Sequence, residues 1–235
     1  MSYFTGPRIV TDGMVLCLDA GNQKSYVGSG SANWNDLTGY SASYYGVLTN
    51  GPTFTSSFGG SIVFDGSNDC VTFGTGLTAL DLTSKTIQCW IRKNGNSQKG
   101  IVDKDFDLTL GNYGGWALWT QSNGKLWWWN HGGQDILDTG TNIIQVNTWT
   151  NVAVAYNYTA KNASFYINGT LNSSITNASI VEKASGTAEL LIGAYRNNTG
   201  LNFDGNIAAV SLYNRLLSAN EILQNYNATK TRFGL

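Results

Sequence analysis

The chain has 235 residues, a net charge of −1 and only 12% charged residues, about half of the ~25% usual in soluble domains. Its surface must therefore be built from neutral polar groups, and 26 Asn, 24 Thr, 20 Ser and 28 Gly stand against only 2 Pro. Low net charge with 8 Trp, 12 Tyr and 9 Phe excludes a disordered chain, and the lack of any Lys/Arg cluster excludes a phosphate-binding basic face, so no nucleic-acid partner is expected.

Residues 1–13 read as an N-terminal arm. They contain no basic stretch followed by an apolar run, and nothing later approaches the ~18 apolar residues of a membrane span. The expectation is a protein made in the cytoplasm without a signal peptide and without membrane insertion. From there, short runs of β-forming residues recur at 14–18, 44–48, 61–64, 70–73, 85–93, 100–104, 107–110, 115–119, 125–131, 150–157, 163–167, 189–194 and 206–213. Turn chemistry separates them, as in Asn50-Gly51-Pro52, Asp65-Gly66, Asn94-Gly95 and Asn168-Gly169. Alternation is clearest in 85–93, where Ile87, Cys89 and Ile91 share a core face and Gln88, Trp90 and Arg92 a partly wet one.

One helix is expected. Ser218-Ala219-Asn220-Glu221 has the spacing of a capping box and opens an apolar stripe of Ile222, Leu223 and Tyr226. The predicted fold is all-β, an antiparallel β-sandwich with one short C-terminal helix, in a single domain over 14–227 with a tail at 228–235. Cys17, Cys70 and Cys89 are odd in number and at no metal spacing, so they read as buried reduced thiols. Seven Asn-x-Ser/Thr sequons begin at Asn157, Asn162, Asn168, Asn172, Asn177, Asn197 and Asn227. Composition alone predicts about five, so they are read as chance.

The order of motifs adds a resemblance. Leu16-Cys17-Leu18-Asp19-Ala20, Trp34-Asn35-Asp36-Leu37 and Ser61-Ile62-Val63-Phe64-Asp65-Gly66 are followed by Thr86-Ile87-Gln88-Cys89-Trp90-Ile91, Trp149-Thr150-Asn151-Val152 and Phe165-Tyr166-Ile167-Asn168-Gly169. With Phe203-Asp204-Gly205-Asn206-Ile207 they resemble, in sequence order, laminin G-like domains with the concanavalin A-like jelly roll. The start Thr5-Gly6-Pro7-Arg8 and the end Phe233-Gly234-Leu235 look like stand-alone versions from tailed bacteriophages. That resemblance implies a phage virion component, a head decoration, fibre or tail protein, with virion proteins and further copies of itself as partners and a host-surface glycan as a further one. The other reading is a free carbohydrate-binding lectin.

Candidate sites follow from residue chemistry. A retaining glycosidase needs two carboxylates about 5 Å apart, yet Glu occurs only at 182, 189 and 221, none with a second acid two residues away. His131 is the sole histidine and no Gly-x-Ser-x-Gly accompanies it. The expectation is therefore no catalytic residues and no enzyme. Asp103-Lys104-Asp105-Phe106-Asp107 reads as an exposed strand edge or turn, with a cation site as the other reading.

Asp65, Asn68 and Asp69 lie within five residues, with Asp19 as a fourth oxygen donor. They read either as an Asx-type turn or as the rim calcium site that the resemblance implies, and no cofactor is required. Trp127 and Trp129 share one strand face, opposite Trp128 and Asn130, with His131, Gln134 and Asp135 close behind. Core packing, a protein interface and a carbohydrate platform all suit that set. Apolar Tyr3, Phe4, Phe233 and Leu235 near the termini read as anchors to an assembly.

Overall fold

The alternating run at 85–93 becomes a nine-residue strand at the middle of one of two antiparallel sheets. The computed structural model describes residues 7–40, 44–75, 77–81, 83–107, 112–131, 137–139, 143–180, 187–195 and 201–235. In chain order the strands are β1 (Met14–Asp19), β2 (Asn33–Asn35), β3 (Tyr45–Thr49), β4 (Thr53–Thr55), β5 (Ser61–Asp65), β6 (Cys70–Thr72), β7 (Lys85–Lys93) and β8 (Lys99–Asp107). Then come β9 (Asn112–Thr120), β10 (Leu126–His131), β11 (Leu137–Asp138), β12 (Thr150–Asn157), β13 (Asn162–Ile167), β14 (Thr170–Thr176), β15 (Leu191–Ile192) and β16 (Asp204–Tyr213). Helix α1 (Ala219–Thr229) and a 3-10 turn at Lys230–Phe233 close the chain.

The first sheet runs β14-β13-β12-β7-β16-β5-β4, and the second β11-β10-β9-β8-β15-β6-β3-β2. Strand β16 is long enough to take two partners on one edge: β5 pairs with its first half and β1 with its second. Between the sheets lie Trp34, Phe64, Trp116, Trp128, Phe165 and Phe203, all buried. This is the sandwich expected from the turn-punctuated pattern.

Several elements depart from expectation for physical reasons. Residues 100–104, read as a short strand, belong to the longer strand β8, which runs on to Asp107 inside the second sheet, while 108–110 of the strand expected at 107–110 lie outside the described residues. Asp103, Lys104 and Asp105 are therefore buried and not at an exposed edge. Lys104 has an ion-pair partner, Asp81, at 2.9 Å, as a buried ammonium requires. Strand β14 has no apolar alternation because it is an exposed edge strand with little core to face. Cys17, Cys70 and Cys89 are free and buried; burial pushes the first two thiols up to about 12 and the third further.

The wet face assigned to Gln88 and Trp90 is also corrected, since both are buried beneath the C-terminal segment. The Trp90 ring stacks on Phe233 at 4.0 Å and on Tyr226 at 5.7 Å. Gln88 donates to Asn151 Oδ1 (2.7 Å) and accepts from Asn225 Nδ2 (2.9 Å), which also donates to the Tyr213 hydroxyl. The N-terminal strand entry joins this network: Val10 N donates to Asn225 Oδ1 and Val10 O accepts from Tyr213. Arg232 fastens the end, donating to Asp19 Oδ1 (2.6 Å), Phe58 O (2.8 Å) and Gly60 O.

Phe233 therefore anchors the chain to its own sheet, not to a partner, and residues 228–235 form no loose tail. Leu235 is exposed. Tyr3 and Phe4 lie outside the described residues. Truncating Phe233 to Ala is expected to cost about 3–5 kcal/mol, the range for removing a buried aromatic ring. Urea unfolding of F233A against the parent chain reads this directly, and an unchanged midpoint contradicts it.

The capping box forms as expected: Ser218 Oγ accepts from Glu221 N (3.3 Å), and Glu221 Oε2 accepts from Ser218 N (2.8 Å). Arg215 grips the same carboxylate with both terminal nitrogens, at 3.1 and 2.7 Å. Chiefly through that guanidinium, and then through the Ser218 N–H, the Glu221 carboxyl is held down at about 2. A carboxyl with a depressed native pKa adds stability above its unfolded value of about 4.3, and that stability is lost as pH falls toward the native value. E221Q is thus expected to be less stable than the parent at pH 7, with the gap closing between about pH 5 and 2. A gap independent of pH in thermal melts overturns the ion-pair account.

Candidate functional site

Strands β9 and β10 pair with Trp127 opposite Trp119, Trp128 opposite Leu118 and Trp129 opposite Ala117. Directly opposite residues share a face, so alternation sorts the tryptophans into two sets. Trp116 and Trp128 point into the core and stack at 5.8 Å, 15° apart. Trp119, Trp127 and Trp129 stand on the outer face of the second sheet. There Trp119 is flanked by Trp127 at 6.3 Å and Trp129 at 5.3 Å, both stacked, and Tyr195 meets it edge-on at 4.1 Å.

Trp127 and Trp129 are half-buried, while Trp119 at 3% exposure forms the floor. The indole N–H groups of Trp119 and Trp127 have no acceptor among the described residues. One transverse row runs Leu191, Asp103, Ala117, Trp129, which puts the Asp103 carboxylate on the same face as the aromatic row. Asp138 lies opposite Trp127 and holds Lys125 at 2.8 Å. Such a face has stacking surfaces, donors and a carboxylate together.

Trp127 and Trp129 are thus brought together as expected. His131 ends β10, but its side chain lies outside the described residues, as do Gln134 and Asp135. Trp119, Tyr195 and Asp103 were missed as members of this face. Alternation in Trp116-Ala117-Leu118-Trp119 marks Trp119 as outward, yet only the β9–β10 register places it under Trp127.

The proposed oxygen donors for calcium do not converge. Asp65 Oδ1 accepts from Ser67 N (2.8 Å), and Asp69 Oδ2 accepts from Asp65 N (3.0 Å), which is an Asx-type turn. Burial raises the Asp69 carboxyl above its usual range. Asp19 pairs with Ala209 and Asp65 with Asp204 on β16, so at ~3.3 Å per residue the two acids are about 16 Å apart along the sheet. Asp19 serves Arg232 instead. Among the described residues no group of three acids, histidines or cysteines could hold a metal, and this donor set does not fit calcium. Of the glutamates, Glu189 accepts from Gly74 N (3.0 Å) and Glu221 caps the helix, while Glu182 lies outside the described residues.

The sequence pattern of the concanavalin A-like lectin/glucanases superfamily matches residues 65–223, about two thirds of the chain. The chain belongs to that superfamily. No curated protein matches it in sequence. Among solved structures it is similar to the binding domain of botulinum neurotoxin serotype G, with 16% identity and a TM-score of 0.66 over 91% of this chain and 50% of that one. The receptor-binding domain of the botulinum neurotoxin C/D mosaic serotype gives 15% identity and a TM-score of 0.68 over 92% of this chain and 51% of that one. Trypanosoma rangeli sialidase in its covalent complex with 2,3-difluorosialic acid gives 15% identity and 0.68 over 97% of this chain and 35% of that one.

The chain thus spans about half the length of the neurotoxin chains and a third of the sialidase chain, and at these identities the likeness is one of fold. It nevertheless corrects one expectation. The exclusion of enzymatic activity is overturned, because the solved chains sharing this fold include sialidases, which are enzymes. Asp103 and Asp105, expected at an exposed strand edge or turn, are both buried in the second sheet, and Asp103 lies beside the aromatic row.

Proposed function

We propose that this chain is a lectin-like adhesion domain that binds a glycan on the outer face of its second sheet, and that it is carried on a phage particle as a virion component. The observation that carries the binding reading is the stacked row of Trp127, Trp119 and Trp129, whose outer two rings are half-exposed on the face of the sheet. Sugar rings pack their C–H faces on indoles, and the two half-exposed rings offer that surface. The neurotoxin chains of similar fold are described as binding and receptor-binding domains, which agrees with this use. The virion reading is supported by the resemblance of Thr5-Gly6-Pro7-Arg8 and of Phe233-Gly234-Leu235 to phage proteins. Its partners would be other virion proteins and a host-surface glycan.

A glycan array probed with labelled protein is expected to give bound classes that W127A and W129A each weaken roughly tenfold or more, about 1.4 kcal/mol. Circular dichroism should be unchanged, since both rings are outside the main core. Binding equal in parent and variants overturns the site. Co-sedimentation of the chain with intact particles tests the virion part, and its absence from purified particles overturns that part alone.

A further inference from the structure

The outer face of the first sheet is covered by the C-terminal segment over only part of its area. Beyond that cover is an open groove of about 240 Å3 lined by Thr55, Ser57, Phe58, Ser61, Arg92, Trp149 and Asn206. Its volume is below the ~300–1,000 Å3 of pockets for drug-sized molecules, so it admits one small ring. It lies on the opposite side of the sandwich from Trp119, Trp127 and Trp129.

Four observations on its walls point to a ligand. Phe58 is 51% exposed and sits at φ 53°, ψ 35°, a left-handed conformation that a bulky side chain rarely adopts. The backbone there is held by Arg232 Nε on Phe58 O, so the ring is presented to solvent and edge-on to Trp149 at 5.9 Å. A strained residue held by its surroundings is a marker of a functional position. Trp149 is buried, and its indole N–H has no acceptor among the described residues.

Arg92 is the third. Its Nε donates to Asn147 O (3.2 Å) and its Nη1 to Asn94 Oδ1 (3.4 Å), so the guanidinium is oriented by neutral groups and has no carboxylate partner among the described residues. The fourth is the Asn206–Ser61 pair. Asn206 Nδ2 donates to Ser61 Oγ (3.1 Å), and both residues line the groove. An unpaired guanidinium matches a carboxylate, an aromatic ring matches a sugar face, and the amide and hydroxyl match ring hydroxyls.

We propose that the groove formed by Phe58, Trp149, Arg92, Ser61 and Asn206 is a second binding site, for the carboxylate-bearing sugar unit of an acidic glycan. It is independent of the tryptophan face, so either site stands if the other fails. The test is titration of 15N-labelled protein with sodium glucuronate, followed at the Trp149 indole N–H resonance, with glucose as the neutral counterpart and W149F to assign the signal. Glucuronate is expected to move that resonance with an affinity roughly tenfold or more above that for glucose, and R92Q to remove the difference.

F58G gives a second readout. Glycine accepts the left-handed backbone, so the variant should keep or raise the thermal midpoint while losing roughly tenfold in glucuronate affinity. W127A should leave the titration unchanged. A Trp149 resonance that glucuronate does not move, or that glucose moves equally, overturns the proposal. So does an R92Q or F58G variant that binds as the parent does, or a W127A variant that does not bind.

Discussion

The stack of Trp90 between Phe233 and Tyr226 is the contact on which the rest of the arrangement depends. A sheet in a two-layer sandwich has one core face and one solvent face, and a tryptophan on the solvent side is costly to leave wet. This chain resolves the conflict by folding its last residues back over the centre of the first sheet. Ala208 lies in the same cluster, at a register shift between β16 and β7, and its small side chain makes room for the Phe233 ring. The alanines at 208 and 209 thus have a packing reason.

That cover determines what the two outer faces can do. Under it Gln88, Asn151 and Tyr213 of the sheet meet Asn225 of the helix, and the four bond one another. Val10 enters this network through Asn225 and Tyr213, and Arg232 fastens the other end separately, on Asp19. The outer face of the second sheet carries the tryptophan row instead, with Tyr195 and Leu201 packed against it. Where the cover on the first sheet stops, Phe58 and Trp149 line the groove.

Charge is scarce in this chain, so each buried ion is informative. Lys104 is matched by Asp81, and Glu221 by Arg215 at the helix start. Lys85 sits 5.6 to 5.8 Å from the rings of Trp116, Trp128 and Tyr156 inside the sandwich. The Asp81 partner is what lets the Lys104 ammonium enter the middle of a sheet, where composition alone suggests an edge.

The sequence by itself determined the fold class, the single C-terminal helix and the division of Trp127 and Trp129 from Trp128. Those properties are local: alternation, turn residues and a capping box act within a few positions of one another. It did not reveal that Phe233 is a core residue, that Trp119 lies beneath Trp127, or that Asp19 and Asp65 are far apart. Each of those depends on strand register or on a contact between residues more than a hundred positions apart, as Trp90 and Phe233 are. Pairing register and the docking of a terminal segment are decided by which faces remain to be buried once the sheets have formed, and only the tertiary structure settles that.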